Sequence, residues 1–343
     1  MAINLASKYS DQIAEVFTRA SFIKGKTAET YDLTGVKTLK VYTPITVEEV
    51  DYDRDGGLKR YGDVTEMQDV VQELTMTQDK AFTLTIDKGN NLDQNLVKNA
   101  ADMLRLQLNE KSTPAADKYA FKRFVTMAGS IVESAKPTKA NIISKIADAS
   151  QALDDALVPD DNRYLYLTSE MYKLVCTSDE FAGVDVLARQ SIAKGVCGEV
   201  FGRNVARVPK SYLPEDVYFL VAHKDAVLMP YKIADAKVHE DPVGVSGALI
   251  EGRHYYDAYV LGAKCGGVYA LVDEDCRSSA PTISQGKITA FGKVRYTLDG
   301  SDPRYSDSAK DYVAGTVLTP ETGCKIRAYC VQSGAYPSEV AEG

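Results

Sequence analysis

Apolar residues along this chain follow two rhythms, one of period two and one close to period four, and the rhythm changes several times. Between residues 36 and 86, "KTLKVYTPITVEEVDY" and "KAFTLTI" are rich in Val, Thr, Tyr and Ile and nearly alternate with polar residues. They predict two strands around an acidic, glycine-bearing stretch, a long two-stranded ribbon. Such a ribbon buries too little surface to be stable alone, so this one needs a partner, either the rest of the chain or another copy. In "LDQNLVKNAADMLRLQLNEK" the positions Leu92, Leu96, Ala100, Leu104 and Leu108 recur every four residues and line one helical face. Thr113 and Pro114 read as the restart of a helix anchored by Tyr119, Phe124 and Val125. A third helix follows, with Thr138 as its cap, a stripe at Ile142, Ile146, Ala149, Leu153 and Leu157, and Pro159 as its stop. Three short strand candidates, "RYLYLT", "NVARVP" and "DVYFLVA", then interleave with helical "SEMYKLV" and "GVDVLARQSIAKG". Strand signals return at 254–272 with a break at Gly266 and Gly267, and "DEDCRSSAPT" leads into a last all-β segment of about sixty residues. The fold class is α+β.

With 343 residues and 45% hydrophobic content, the chain can bury more than one core. A formal net charge of -8 excludes a dedicated nucleic-acid binder but leaves room for a local basic face. No run of about 18 apolar residues occurs and the start is amphipathic, so a soluble protein with no membrane partner is expected. The polar stretch "KGKTAETYDLTG" has little to pack and reads as part of an arm. Six cysteines are scattered without a C-x-x-C pair, which points to reduced, mostly buried thiols and away from a zinc ribbon.

The chemistry-bearing candidates are few. In "DYDRDGGLKRYGD", Asp51, Asp53, Asp55 and Gly56 match the first half of a calcium-binding EF-hand loop. The twelfth position is Gly62, where a bidentate Glu is required, so a solvated hairpin tip is the favoured reading and calcium the alternative. "GVSGA" departs from a nucleophile elbow at Ala248. The three histidines, His223, His239 and His254, stand in no metal or catalytic spacing. "KRYGD" and "FKRF" are too short to make a basic stripe. Neither catalytic residues nor a metal or cofactor are expected. In "YTLDGSDPRYSD", Asp299, Asp302 and Asp307 cluster around Gly300 and Pro303, and a tight turn is favoured over a calcium site.

The order of these parts resembles the major capsid proteins of tailed bacteriophages, a fold shared with encapsulin shells. The most specific stretch is Gly202 to Lys232, "GRNVARVPKSYLPEDVYFLVAHKDAVLMPYK", with Lys224, Asp225, Ala226 and Val227 matching a family segment, and "YYDAYVLGAKCGGVYAL" matching its closing strand. The resemblance covers roughly residues 1–275. It implies an N-terminal arm at 1–35, an E-loop hairpin at 36–90, a spine helix and peripheral domain at 91–137, an axial domain at 138–235 and a peripheral return at 236–277. It further implies hexamers and pentamers that form an icosahedral shell around double-stranded DNA, with assembly contacts at Asp53, Asp55, Gly56 and Gly57 of the E-loop tip. Scaffold, portal and any decoration protein are expected to be separate chains, and the protein to be a virion component assembled in the host bacterial cytoplasm. An encapsulin-like compartment is the alternative within this architecture.

Residues 280–343 resemble a different family, the small immunoglobulin-like module at the end of chitobiase and hexosaminidase-type enzymes. The matching residues are Tyr296, Thr297, Asp299, Gly300, Ser301, Asp302 and Pro303, then Tyr312, Leu318, Ile326 to Val331, Ser338 and Val340. This implies a sandwich, expected to project from the outer surface and there to decorate or stabilise the shell or to contact glycans; taken alone, the tail would suggest a carbohydrate-binding surface protein.

Overall fold

The computed structural model describes residues 21–31, 38–46, 49–55, 60–62, 66, 68–93, 99–178, 199–321 and 323–343; most of the arm and the segment "GVDVLARQSIAKG" lie outside them. The described residues form two compact units. The first joins the N-terminal segment to Met76–Val260 and Gly266–Val272; the second joins Lys37–Thr75 to Leu261–Cys265 and Asp273–Gly343.

The first unit is built on a six-stranded mixed sheet in the order Ser130–Glu133, Val268–Val272, Val217–His223, Arg163–Thr168, Arg203–Val208, Glu199–Val200. Every residue of Val268–Val272 is buried, and so is all of Val217–His223 except Tyr218. Strands covered on both faces need apolar side chains at every position, which is why "VYALV" and "VYFLVA" do not alternate. On one face, Leu165, Leu167, Phe219, Val221, Tyr269 and Leu271 pack with Ile142, Ile146, Ala149 and Leu153 of helix Ile142–Asp155 and with Met171 and Val175 of helix Ser169–Thr177. Each fully buried Leu or Ile there contributes about 1.5–3 kcal/mol. Thr168 ends its strand by capping the next helix, its hydroxyl accepting from Met171 N–H at 3.3 Å. The opposite face receives helix Thr113–Thr126, with Phe121 edge-on to Tyr166 at 5.1 Å.

That helix is continuous with Ala100–Gln107 through a π turn at Leu108–Ser112. The expected restart at Thr113 is therefore corrected: Thr113 is itself helical, and its N–H donates to the Leu108 carbonyl five residues back. Pro114 lacks an N–H and its ring would crowd the carbonyl four residues earlier, and the widened turn accommodates both defects without ending the helix. Ala100–Gln107 has no fully buried residue, Leu104 and Leu108 are half-buried and Leu92 is 57% exposed, so among the described residues the stripe expected at Leu92 to Leu108 is only partly covered; Leu96 lies outside them.

Two further expectations change at helix Ile142–Asp155. Thr138 is not a side-chain cap; its carbonyl accepts from Ile142 N–H at 3.0 Å, and its own N–H donates to the Asn141 side chain at 2.6 Å. The buried stripe stops at Leu153, and Leu157 lies past the helix end, 90% exposed with φ 54°. Leu157 N–H donates to Asp154 O at 2.9 Å and Val158 N–H to Leu153 O at 3.0 Å, a Schellman ending in which the left-handed position is usually glycine.

The ribbon also differs from the sequence expectation. Thr38–Pro44 pairs antiparallel with Asp69–Thr75, in register from Thr38 opposite Thr75 to Pro44 opposite Asp69. Gln78–Asp87 instead pairs with Gly247–Tyr256, which pairs with Tyr231–Glu240, in a three-stranded sheet of the first unit. The divergence begins at Thr77, whose N–H and hydroxyl both donate to the buried Asp257 carboxylate at 2.8 Å.

In the second unit the C-terminal segment forms a two-stranded sheet, Thr282–Ser284 with Lys287–Thr289, and a four-stranded one in the order Lys310–Asp311, Lys293–Thr297, Arg327–Val331, Ala341–Glu342. Ile288, Val294, Leu318, Ile326, Ala328 and Cys330 make their shared core. Among the described cysteines only Cys330 is buried, and Cys176, Cys265, Cys276 and Cys324 are half-buried; the expected general burial of the thiols does not hold. Replacing Leu157 by Gly should raise subunit stability by about 0.5–1 kcal/mol, because a left-handed residue is strained unless it lacks a Cβ. A denaturant midpoint that stays put or falls would contradict that reading of the helix end.

Candidate assembly surfaces

Two buried carboxylates organise the first unit. Asp257, 1% exposed, accepts hydrogen bonds from Thr77 N–H, Thr77 Oγ1, Tyr119 Oη at 2.7 Å and Ala258 N–H at 2.7 Å. It ties the chain leaving the ribbon to the long helix and to the end of strand Gly247–Tyr256, and the Arg123 guanidinium lies 3.9 Å away. Asp117, also 1% exposed, accepts from Ser21 Oγ at 2.6 Å and Phe22 N–H at 2.7 Å. Burial raises Asp117 above the usual carboxylate range, against the pull of its bonds from Ser21 and Phe22 and of the Lys26 charge. This anchors the end of the arm: Ile23 is buried, Phe22 meets Tyr212 edge-on at 5.1 Å, and Ala28 N–H donates to Val227 O at 2.9 Å. Beside it runs a groove of about 1130 Å³ between the arm end, the strand start at Gln78–Phe82 and the π turn of the helix.

The ribbon carries an exposed, largely aromatic surface. Tyr42 is 62% exposed, Val50 63%, Tyr52 49% and Tyr61 85%. Its pairing extends past the regular strands, since Ile45 N–H donates to Gln68 O at 2.8 Å and Asp53 N–H to Arg60 O at 3.1 Å. Tyr52 and Tyr61 face each other edge-on at 5.0 Å across the two arms. Asp53 and Asp55 sit together on this outer part, both exposed, with Asp55 N–H donating to Asp53 Oδ1 at 2.9 Å. Gly56 and Gly57 lie outside the described residues.

Among the described residues no group of three His, Cys, Asp or Glu side chains is placed to hold a metal. The carboxylates of "YTLDGSDPRYSD" are engaged locally. Asp299 accepts from Ser301 N–H, Ser301 Oγ and Ser308 Oγ, and Gly300 takes φ 75°. Burial pushes the Asp299 carboxyl up, but these bonds outweigh it and hold the group below the ordinary range. Asp302 binds the Arg304 side chain at 2.8 Å and its amide at 2.9 Å. His223 accepts from Asp225 N–H, His239 pairs with Glu251 at 3.4 Å, and His254 stacks on Phe82, its pKa lowered by burial. "GVSGA" opens strand Gly247–Tyr256 and is followed by no helix. Asp117 and Asp257 were not singled out from the sequence. A single acid inside "HYYDAYVLG" was the available signal for Asp257, whereas Asp117 lies in an ordinary polar helical pattern.

No family model and no curated protein matches the chain. Solved structures do. A chain from Mycobacterium phage Che8 superposes with TM-score 0.65 at 16% identity, over 79% of this chain and 98% of that one. The capsid structure of Cyanophage P-SCSP1u gives 0.63 at 12% identity, covering 79% and 93%, and the mature capsid of bacteriophage PhiM1 gives 0.62 at 11%, covering 79% and 92%. The chain has the α+β fold of phage capsid proteins, and the uncovered fifth is about the length of the C-terminal β segment. Asp257→Ala should destabilise the subunit by about 3–5 kcal/mol in urea unfolding, because it strands buried donors from two elements. Asp53→Ala, on the exposed ribbon, should stay within about 0.5 kcal/mol. Equal effects would remove Asp257 from its organising role.

Proposed function

We propose that the chain is a major capsid protein, many copies of which form the head shell of a tailed phage around double-stranded DNA. The carrying observation is the shared fold: phage capsid chains are covered over more than nine tenths of their length. The exposed ribbon supports the same reading, because aromatic surface left in water on a marginal two-stranded element gains burial across a neighbouring copy. Its outer part, with Asp53, Asp55, Gly56 and Gly57, is the proposed contact with that neighbour. Repeated heterologous contacts close into hexamers and pentamers, and such a role is structural, with no catalytic site. Scaffold and portal are separate partners in this reading, and the enclosed DNA is held without sequence specificity.

The C-terminal segment is, in this reading, an immunoglobulin-like module exposed on the shell. Phe291, 83% exposed, and Val313, 72% exposed, lie at the same end of its sheet, since Arg295 pairs with Asp311. An apolar aromatic tip of this kind suits glycan contact. Purified protein should appear as shells or capsomers in electron micrographs, and a species that stays monomeric under all assembly conditions would refute the capsid reading. The pair of changes Tyr42→Asp and Tyr61→Asp should abolish particles while lowering the stability of the chain by no more than about 2 kcal/mol, the loss expected from breaking the Tyr52–Tyr61 contact and placing Asp in a strand. Normal particle yield from that variant would exclude the ribbon's aromatic surface as the contact.

A further inference from the structure

The stretch "SDPRYSD" does more than reverse the chain. Asp299 to Ser301 complete the turn with their own hydrogen bonds, yet at Ser306 and Asp307 the backbone reaches the ribbon. Asp307 N–H donates to Val71 O at 2.9 Å, and Ser306 forms an antiparallel bridge with Gln72. Lys40 Nζ, on the other ribbon strand, lies 3.3 Å from Asp307 Oδ2. Gln72 is 6% exposed, and its Oε1 accepts from Gly262 N–H at 2.8 Å. Tyr305, 7% exposed, lies directly on Gly262: a Cβ there would come within 2.7 Å of the Tyr305 Cβ. Arg304, fixed by Asp302, stacks over the Tyr305 ring at 5.2 Å and holds it in place. Three distant parts of the sequence thus meet at the base of the ribbon.

We propose that the C-terminal module is an internal brace: Tyr305–Asp307 adds in cis as a short third strand to the base of the ribbon and fixes its direction. Strand Asp69–Thr75 is then paired on both edges near Val71 and Gln72, which gives a marginal ribbon the third strand it lacks. The leverage is large, because a residue fifteen positions out along an extended strand lies up to about 50 Å from the base. A swing of about 10° at the base would move it by roughly 9 Å, more than a specific contact tolerates. Docking of the brace therefore restricts which contacts between copies can form. That last consequence rests on the capsid reading, whereas the brace itself does not.

The test uses the full-length chain before assembly, followed by hydrogen–deuterium exchange. Tyr305→Ala removes the packing on Gly262, and Gly262→Val forces Tyr305 away from it. Either change should accelerate exchange in Asp69–Thr75 and at Asp307 by on the order of ten- to a hundredfold, with Val217–His223 unaffected. Phe291→Ala, at the other end of the module's sheet, should change neither segment. If Gly262→Val fails to fold, Tyr305→Ala decides alone, since it only shortens a side chain. Unchanged exchange in Asp69–Thr75, or acceleration spread equally to Val217–His223, overturns the brace. Where exchange bears out the brace, the released variants should give shells of mixed size. Faster exchange together with an unmodified protein that forms no particles would leave the brace standing and remove the capsid reading.

Discussion

A carboxylate taken out of water persists only where donors replace the lost hydration, and at Asp257 four donors do so. Two of them come from Thr77, at the point where the chain leaves the ribbon. Without that capture the strands on either side of Thr77 could continue into one another, since both have strand-forming composition. With it, Gln78 starts a strand of a different sheet. The layout of the first unit, ribbon exit, long helix and the strand ending at Tyr256, follows from satisfying one buried acid.

The same economy appears in the long helix. Pro114 falls where it should break a helix, and a π turn absorbs the missing hydrogen bond so that the helix runs on to Thr126. The continuous second half brings Asp117, Tyr119 and Phe121 to one side, where they meet the arm end, Asp257 and the sheet. The first half has no fully buried residue. The helix is thus covered along only part of its length.

In the second unit, residues with strong turn chemistry hold a loop whose last three residues act outward. Asp299 and Asp302 spend their oxygens on Ser301, Ser308 and Arg304, and beyond them Tyr305 packs on Gly262 while the Asp307 amide bonds the ribbon. The acidic cluster that suggests a cation in the sequence is thereby explained as local hydrogen bonding.

Local patterns alone determined most elements: the short apolar runs of strands Arg163–Thr168 and Val217–His223, the strand Arg203–Val208, and the period-four buried stripe from Ile142 to Leu153. These are legible because each depends on which face of a single element turns toward the core. Strand pairing is not of this kind. "KAFTLTI" is equally suited to a hairpin with the first ribbon strand or to a sheet with Gly247–Tyr256, and only a carboxylate 180 positions from Thr77 decides between them. The helix through Pro114 and the left-handed Leu157 were hidden for a related reason, as propensity describes an isolated turn while packing on both sides overrides it. The assembly candidates Asp53 and Asp55 stood out in sequence for their chemistry. Asp117, Asp257 and Gly262 matter only through what folds against them, and that is information the tertiary structure alone holds.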